Sequence, residues 1–338
     1  MIPIVYFKAG FWNGIKANET REGLRTMLDV SEVLHNSRII TDATEEQIIK
    51  DPFLKSVIKQ GRYERCDENY IDKKLNSLKI DKNANDLCAT YLLDKSHGVC
   101  DSIEKKYGVM ALCPETIIKK DYLFKGSGFS LEKNVPYHLR YVTFKDVLGQ
   151  PCNSLIVIDP YLLIDRDEDK TTGAVSFPGL SNNLESLLDA ILPQSADVEF
   201  HLTIVSSLKK GQDDVKKVYE KVKKCLKKIR KELIVKLGFF YTGIGFNYKV
   251  ESFHSRHILS NSFLVDSEDG LDLFDDKGYR TKNNPTVSIV FPRLCGNCRE
   301  DMTKYENWIV SVKKHVEDVP DCLFYGTKEN RLFELVEQ

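Results

Sequence analysis

The sequence lacks any apolar run that could cross a membrane. Its longest apolar runs, such as LIVID at 155–159, are far shorter than the roughly 20 residues that a transmembrane helix needs. The first ten residues, MIPIVYFKAG, also lack the charged-then-apolar order of a signal peptide. We therefore expect a cytoplasmic protein that is not transmembrane.

The chain also has almost no net charge and no cysteine framework. Its 49 Lys and Arg residues nearly balance its 50 Asp and Glu residues, so any attraction to nucleic acid or anionic lipid must be local. Nine cysteines are scattered along the chain, and an odd number fits reduced thiols better than paired disulfides. Cys295 and Cys298 have metal-like spacing, but no second pair and no histidine pair lies nearby. We predict no metal site and no cofactor.

What the sequence does contain is the composition of a folded protein. Hydrophobic residues make up 42% of its 338 residues and charged residues 29%, which excludes a disordered or fibrous chain. This length is sufficient for two domains, each with a core of its own. We predict an α/β domain of unknown fold and function at 1–140 and a second domain at 150–338.

The order of the apolar segments predicts the fold class. Residues 87–117 have the pattern of a strand, a helix and a second strand, with Gly108 ending the helix, which predicts a βαβ unit. After residue 150, short apolar strands alternate with amphipathic helices. This second pattern indicates a mixed sheet flanked by helices, so both predicted domains are α/β.

A basic helix is predicted at 212–233. Its apolar residues fall on one helical face, and nine Lys and Arg residues from Lys216 to Lys231 occupy the other faces. One interpretation is an ordinary solvated amphipathic helix, and the other is a surface that follows phosphate groups of nucleic acid or of a membrane. Under the second interpretation the candidate phosphate-binding residues are Lys216, Lys217, Lys224 and Lys228.

The stretch FHSRHILSN at 253–261 concentrates residues suited to a phosphate site. His254 and Arg256 are two positions apart, so in an extended strand they point to the same face. Phosphoryl transfer uses a nucleophile such as imidazole beside a cation that neutralises the phosphate oxygens. Asn261 completes the spacing H-x-R-x4-N, and we expect it near a turn at the far end of the strand.

This motif resembles the H-x-K-x4-D signature of the phospholipase D superfamily, with Arg in place of Lys and Asn in place of Asp. The segments IVIDPYLL, TIVSSLKKGQDDVKKVYEKVKK and DGLDLF follow, in the same order, the pattern of the phospholipase-D-like C-terminal domain of MIT-domain-containing proteins. The resemblance covers about residues 150–290 and implies a phospholipase-D-like mixed sheet. The supporting residues of the expected site are Asp159, Ser206, Ser207 and Asp272.

The resemblance leaves two functions open. The eukaryotic members resemble catalytically silent modules, so one expectation is a homodimer that binds a phosphate-bearing partner, either nucleic acid or anionic phospholipid. The alternative is a metal-independent phosphodiesterase, such as a nuclease, in which His254 forms a phosphohistidine intermediate and Arg256 and Asn261 complete the catalytic site. Because superfamily enzymes pair two motifs around one phosphate and this sequence has one full motif, such an enzyme would be a symmetric dimer.

The predicted fusion of two unlike α/β domains also suggests a biological setting. Such fusions resemble bacterial antiviral or conflict systems, in which the first domain senses or docks and the second acts on nucleic acid. We therefore expect the N-terminal domain to contact a partner protein.

Overall fold

The computed structural model is an α/β protein with two large sheets. It describes residues 2–58, 63–160, 162, 167–168, 175–176, 181–206, 215–241, 256–267, 270–294, 299–319 and 321–336. Cys295 and Cys298 lie outside these ranges. The predicted fold class is confirmed, because one sheet is parallel, the other is mixed, and helices flank both. Within the ranges described, no helix has the length and apolar character needed to cross a membrane.

The first sheet is wholly parallel and has the strand order β3-β2-β1-β4-β5. Its strands are β1 Ile4–Phe7, β2 Arg38–Thr41, β3 Tyr63–Arg65, β4 Thr90–Leu92 and β5 Met110–Leu112. The helices of this part are α1 Ala9–Lys16, α2 Arg21–His35, α3 Glu45–Lys50, α4 Pro52–Ile58, α5 Tyr70–Asp81, α6 Ala84–Leu87, α7 His97–Tyr107, α8 Pro114–Lys119 and α9 Tyr122–Lys125. Apolar side chains cover both faces of the sheet, with α1 and α2 on one side and α5 and α7 on the other. This is the doubly wound arrangement of α/β folds.

The predicted βαβ unit is confirmed. Strands β4 and β5 pair in parallel, and α7 runs between them. Gly108 follows α7 in the left-handed conformation, with φ +61°, and its N–H bonds to the carbonyl of Glu104. A glycine adopts this conformation without the steric cost that a Cβ adds, which is why it ends the helix here.

The second sheet is mixed and has the order β15-β11-β10-β7-β12-β13-β14-β6. Its strands are β6 Ser127–Ser130, β7 Ser154–Ile158, β10 Phe200–Ser206, β11 Val235–Tyr241, β12 His257–Ser260, β13 Leu264–Ser267, β14 Thr286–Val290 and β15 Phe324–Gly326, while β8 Asp167–Glu168 pairs with β9 Val175–Ser176 apart from it. The helices are α10 Lys145–Leu148, α11 Asn182–Ile191, α12 Val215–Ile229, α13 Arg299–Asp318 and α14 Arg331–Glu334, with 3₁₀ turns at Arg140–Phe144 and Asp321–Leu323. Strands β7, β10 and β11 are parallel to one another, and the remaining pairs are antiparallel.

Helices cover both faces of the second sheet as well. Side chains of α11 and α12 pack on the face that carries Leu155 and Val157 of β7, whereas α13 and α14 pack on the face that carries Ile156 and Ile158. Strand β6, at Ser127–Ser130, pairs with β14 of this sheet, although its residues fall within the predicted first domain.

Buried amides join the two sheets. Asn153, before β7, donates from Nδ2 to the carbonyls of Leu87 at 2.7 Å and Tyr107 at 2.9 Å. Asn261, after β12, donates from Nδ2 to the carbonyl of Gly108 at 2.9 Å. These bonds satisfy carbonyls at the ends of α6 and α7 that have no partner within their helices. The larger apolar core also continues from the first sheet into the second.

Six cysteines whose side chains the structure describes are free, and five of them are buried. They are Cys66, Cys88, Cys100, Cys113, Cys152 and Cys225. Burial raises the pKa of Cys152 to about 12 and that of Cys88 to about 11. These two thiols therefore stay protonated at neutral pH and act as small apolar side chains of the core.

Candidate functional site

Three of the predicted site residues lie in one row across the second sheet. Strand β12 pairs with β7 so that His257 faces Ile158, and the next residue pair in this antiparallel register is Arg256 with Asp159. Strand β10 pairs with β7 in parallel, and the N–H of Asp159 bonds to the carbonyl of Val205 at 3.1 Å, which places Ser206 beside Asp159. Since neighbouring strands are about 4.8 Å apart, the backbones of Arg256 and Ser206 lie roughly 10 Å apart with Asp159 between them.

The side chains in this row point to the face that α11 and α12 cover. Side chains alternate along a strand, so Asp159 shares a face with Val157, and Arg256 shares one with Ile258. Both Val157 and Ile258 pack in the core beneath α11 and α12. The row is therefore at the carboxyl edge of β7 and β10, on the α11 and α12 side of the sheet.

The amino-terminal ends of α11 and α12 lie toward the same edge. The chain leaves α12 at the opposite edge, where the N–H of Phe200 bonds to the carbonyl of Ile234 just before β11. A helix of 15 residues is about 22 Å long, so its first turn reaches back to the carboxyl edge of the sheet. Asn183, at the start of α11, bonds to Asp272 beside the row. Two helix N-termini thus direct their positive dipole ends toward this edge.

Asp159 accepts a hydrogen bond from the segment at 270–274, and Asp272 belongs to that segment. Asp159 is buried, and its Oδ2 accepts the N–H of Leu271 at 2.6 Å. Asp272 is half-buried, and its Oδ1 accepts a hydrogen bond from Asn183 Nδ2 at 2.9 Å. Asn183 also bonds to both backbone groups of Phe274, so the segment is fixed at its end. The structure therefore brings Asp159, Ser206, Arg256 and Asp272 together at one edge.

Asn261 does not belong to this group. It lies after the last residue of β12, five residues from Arg256, and therefore roughly 17 Å away along an extended strand. Its Oδ1 accepts the N–H groups of Asn153 at 2.8 Å and Ser154 at 3.3 Å, at the amino edge of β7. Its amide thus holds backbone at the opposite edge of the sheet, which matches the expected position near a turn but not a role beside Arg256.

The four candidate lysines are spread along α12. Lys216 and Lys217 are exposed in its first turn, nearest the row that contains Arg256. Lys224 is exposed in the middle of the helix. Lys228, in the last turn, forms an ion pair with Glu185 of α11 at 2.6 Å. Only the first two are therefore positioned near the carboxyl edge.

Two further predicted residues, His254 and Ser207, lie outside the described residues. Their predicted roles stay predictions.

Sequence reasoning did not identify Tyr141 and Asn183 as parts of this site. Tyr141 is fully buried in the 3₁₀ turn before α10, and its hydroxyl donates to the carbonyl of Leu271 at 2.8 Å. Nothing in the pattern around residue 141 indicates this bond, because the partner is 130 positions away. Asn183 lies at a recognisable helix start, where Ser181 caps the helix, but the sequence does not indicate its bond to Asp272.

A second polar group lies behind the row, on the opposite face of β12. His257 is buried against Trp308 of α13, and its Nδ1 is 3.3 Å from Oδ1 of Asp266. Lys304 of α13 contacts the other carboxylate oxygen of Asp266. Burial alone would raise the pKa of Asp266, but the contacts with His257 and Lys304 outweigh it and lower the pKa to about 2.

The lowered pKa of Asp266 predicts that the difference in stability between the wild type and a variant without this carboxylate depends on pH. A carboxylate with a folded pKa of about 2 and an ordinary value of 3.8 stabilises the fold above pH 4, and this contribution is lost as the pH falls toward 2. We expect Asp266→Asn to cost about 1 kcal/mol at neutral pH, after allowance for its partial exposure, and nothing near pH 2. Thermal unfolding of the wild type and the variant between pH 2 and pH 7 measures this. Asp276→Asn, in an exposed turn, is the control; a constant difference for Asp266→Asn would contradict the prediction.

Comparison with known proteins identifies no family for this chain. No protein-family model matches the chain, and a search of curated proteins finds no match.

Proposed function

We propose that the carboxyl edge of β7, β10 and β12 binds a phosphate group of a phosphodiester-bearing partner, with Arg256 as the principal ligand. The strongest support is the strand register, which aligns Arg256 with Asp159 and Ser206. This row lies on the face of the sheet that α11 and α12 cover, at the edge where both helices begin. The partner is a nucleic acid or an anionic phospholipid, since both carry the phosphodiester that this arrangement suits.

Arginine and two helix N-termini favour an anion at this edge, where the carboxylates of Asp159 and Asp272 already accept hydrogen bonds from Leu271 and Asn183. A guanidinium donates two parallel hydrogen bonds to phosphate oxygens, which makes arginine a stronger and more directional phosphate ligand than lysine. The dipoles of α11 and α12 add a positive potential at the same edge. Lys216 and Lys217, exposed in the first turn of α12, extend this potential outward along a bound backbone.

Removing the guanidinium tests the proposal. We expect Arg256→Ala to weaken binding by about tenfold or more at fixed salt, because a charged hydrogen-bonding partner is lost. The dependence of binding on salt should fall by about 0.7 in the log–log slope for each single-strand phosphate contact removed. Fluorescence anisotropy with labelled single-stranded DNA and RNA, and co-sedimentation with phosphatidylserine vesicles, measure binding and separate the two classes of partner.

Two comparisons make this experiment specific. Arg25→Ala removes an exposed arginine from α2, beside the first sheet, and should leave binding unchanged. Arg256→Lys keeps the charge but not the paired donors, and should bind with intermediate affinity. Equal binding by wild type and Arg256→Ala for every probe would refute the proposal.

The alternative function is catalysis, because His254 occupies the position of the nucleophilic histidine in the motif. In a phosphodiesterase of this type, the His254 imidazole attacks phosphorus while the leaving oxygen takes a proton from a general acid, the His254 of the second subunit. Water then hydrolyses the P–N bond, which releases the phosphorylated product and regenerates His254. The assay incubates wild type and His254→Ala with DNA, RNA and phospholipid in EDTA. Cleavage that depends on His254 would establish the enzyme, and its absence would leave the binding module.

Dimerisation and the antiviral or conflict setting are part of the same proposal. Analytical ultracentrifugation with and without bound oligonucleotide tests the homodimer. The N-terminal α/β region, which is built on the first sheet, is the part of the chain that we propose contacts a partner protein.

A further inference from the structure

The side chain of Arg256 lies against a glycine. Gly270 has φ +96°, and a Cβ built on it would be 3.0 Å from Cδ and 3.1 Å from Nε of Arg256. Both distances are tighter than ordinary van der Waals contact, so a Cβ at position 270 would require the arginine side chain to shift by a few tenths of an ångström. The absence of a side chain at position 270 thus leaves the space in which the guanidinium end of Arg256 lies.

The backbone beside Gly270 is held from both sides. The N–H of Leu271 donates to Asp159 Oδ2 at 2.6 Å, and its carbonyl accepts from the Tyr141 hydroxyl at 2.8 Å. Asp159 and Tyr141 are both buried, so neither bond competes with bulk water. Burial, and then the charges of Asp159 and Asp272, raise the pKa of Tyr141 well above its usual value, so the hydroxyl remains a donor at physiological pH.

A third bond closes the turn itself. The hydroxyl of Ser267 donates to the carbonyl of Gly270 at 2.5 Å, while the N–H of Ser267 bonds to the carbonyl of Arg256. Ser267 is therefore hydrogen-bonded both to Arg256 and to the turn that faces the Arg256 side chain. A displacement of the turn would be transmitted to the arginine.

We propose that the turn at Gly270 and Leu271 fixes the direction of the Arg256 guanidinium, with Asp159 and Tyr141 as the positioning residues that hold the turn. This inference rests on the proposed phosphate binding by Arg256. The sheet places the backbone of Arg256, whereas the turn orients its side chain. Tyr141 lies outside the segment at 150–290 that carries the resemblance, so part of the site comes from the connection between β6 and β7.

A double-mutant cycle tests the inference. We expect Gly270→Ala to weaken binding of a labelled single-stranded oligonucleotide about tenfold, as Arg256→Ala does. The double variant should bind no more weakly than Arg256→Ala alone, because the turn acts through the arginine. Gly278→Ala is the matched control: Gly278 also has a positive φ, +85°, and its Cβ would meet Tyr137 O at 2.6 Å, but it does not face Arg256.

A milder variant covers the case in which Gly270→Ala fails to fold. Tyr141→Phe removes only the hydroxyl that donates to Leu271, and Tyr91→Phe is its control, since Tyr91 is also buried and donates to a backbone carbonyl, that of Asp86. We expect about threefold weaker binding for Tyr141→Phe and no change for Tyr91→Phe. This loss should disappear when Arg256→Ala is already present.

The outcomes separate the two proposals. If Arg256→Ala itself leaves binding unchanged, phosphate binding by this edge is refuted, and the positioning role with it. If Arg256→Ala weakens binding but neither Gly270→Ala nor Tyr141→Phe does, only the positioning role is refuted. Losses that add to that of Arg256→Ala would also refute it, because they would act independently of the arginine.

Discussion

We expect Asn261→Asp to lower the free energy of unfolding by about 3 kcal/mol at neutral pH, although it restores the carboxylate of the H-x-K-x4-D signature. Asn261 is 2% exposed, and its Nδ2 donates to the carbonyl of Gly108. An aspartate would direct a carboxylate oxygen at that carbonyl oxygen, with no donor between them. The substitution should therefore weaken the junction between the sheets and leave phosphate binding at Arg256 unaffected.

The pH dependence distinguishes this cause from a general loss of packing. The buried carboxyl group would have a raised pKa, so the variant should regain stability as the pH falls from that raised pKa toward about 4, below which the group is protonated in both the folded and unfolded states. Urea unfolding at pH 7 and pH 4 measures both effects. Asn76→Asp, exposed on α5, should change stability by less than about 0.5 kcal/mol. A variant as stable as the wild type at pH 7 would show that Asn261 does not hold the junction.

Gly108→Ala should destabilise the protein by at least about 3 kcal/mol. Two causes combine at this position. The left-handed backbone, with φ +61°, costs about 1 kcal/mol for alanine. In addition, a Cβ at Gly108 would overlap the carbonyl of Cys152 and lie 2.8 Å from the backbone N of Asn153, so backbone at the junction would have to move.

Gly98 provides the control on the same helix. It lies near the start of α7, and a Cβ there would meet nothing within 4 Å. Gly98→Ala should therefore be neutral or more stable than the wild type by about 0.5–1 kcal/mol, since alanine favours the helix. Guanidinium unfolding of both variants measures the difference. Equal stabilities for Gly98→Ala and Gly108→Ala would contradict the close approach at Cys152.

The elements that could be predicted from the sequence are those defined by local pattern. The βαβ unit at β4, α7 and β5 follows from apolar runs of strand length and from a glycine after a helix, all within 31 consecutive residues, 87–117. The order of the strands could not be predicted in the same way. Pairing of β1 with β4, or of β6 with β14, joins segments that are far apart in the chain and depends on tertiary packing.

The sequence provided candidate residues for the site but not their arrangement. The motif identified Arg256 and Asp159, but their proximity depends on the register of β12 on β7. Asn261 shows the limit most clearly. Its place in the motif suggested a catalytic role, whereas its amide bonds to backbone at the opposite edge of the sheet. A single sequence does not distinguish a polar side chain that meets a ligand from one that satisfies buried backbone.

A crystal structure with bound dimethyl phosphate would test the central claim most directly. This ligand carries the phosphodiester of nucleic acids and phospholipids without their bases or acyl chains. We predict phosphate oxygens within hydrogen-bonding distance of the Arg256 guanidinium, at the carboxyl ends of β7 and β10 beside Ser206. Phosphate bound elsewhere on the protein, with none in contact with Arg256, would contradict the proposal.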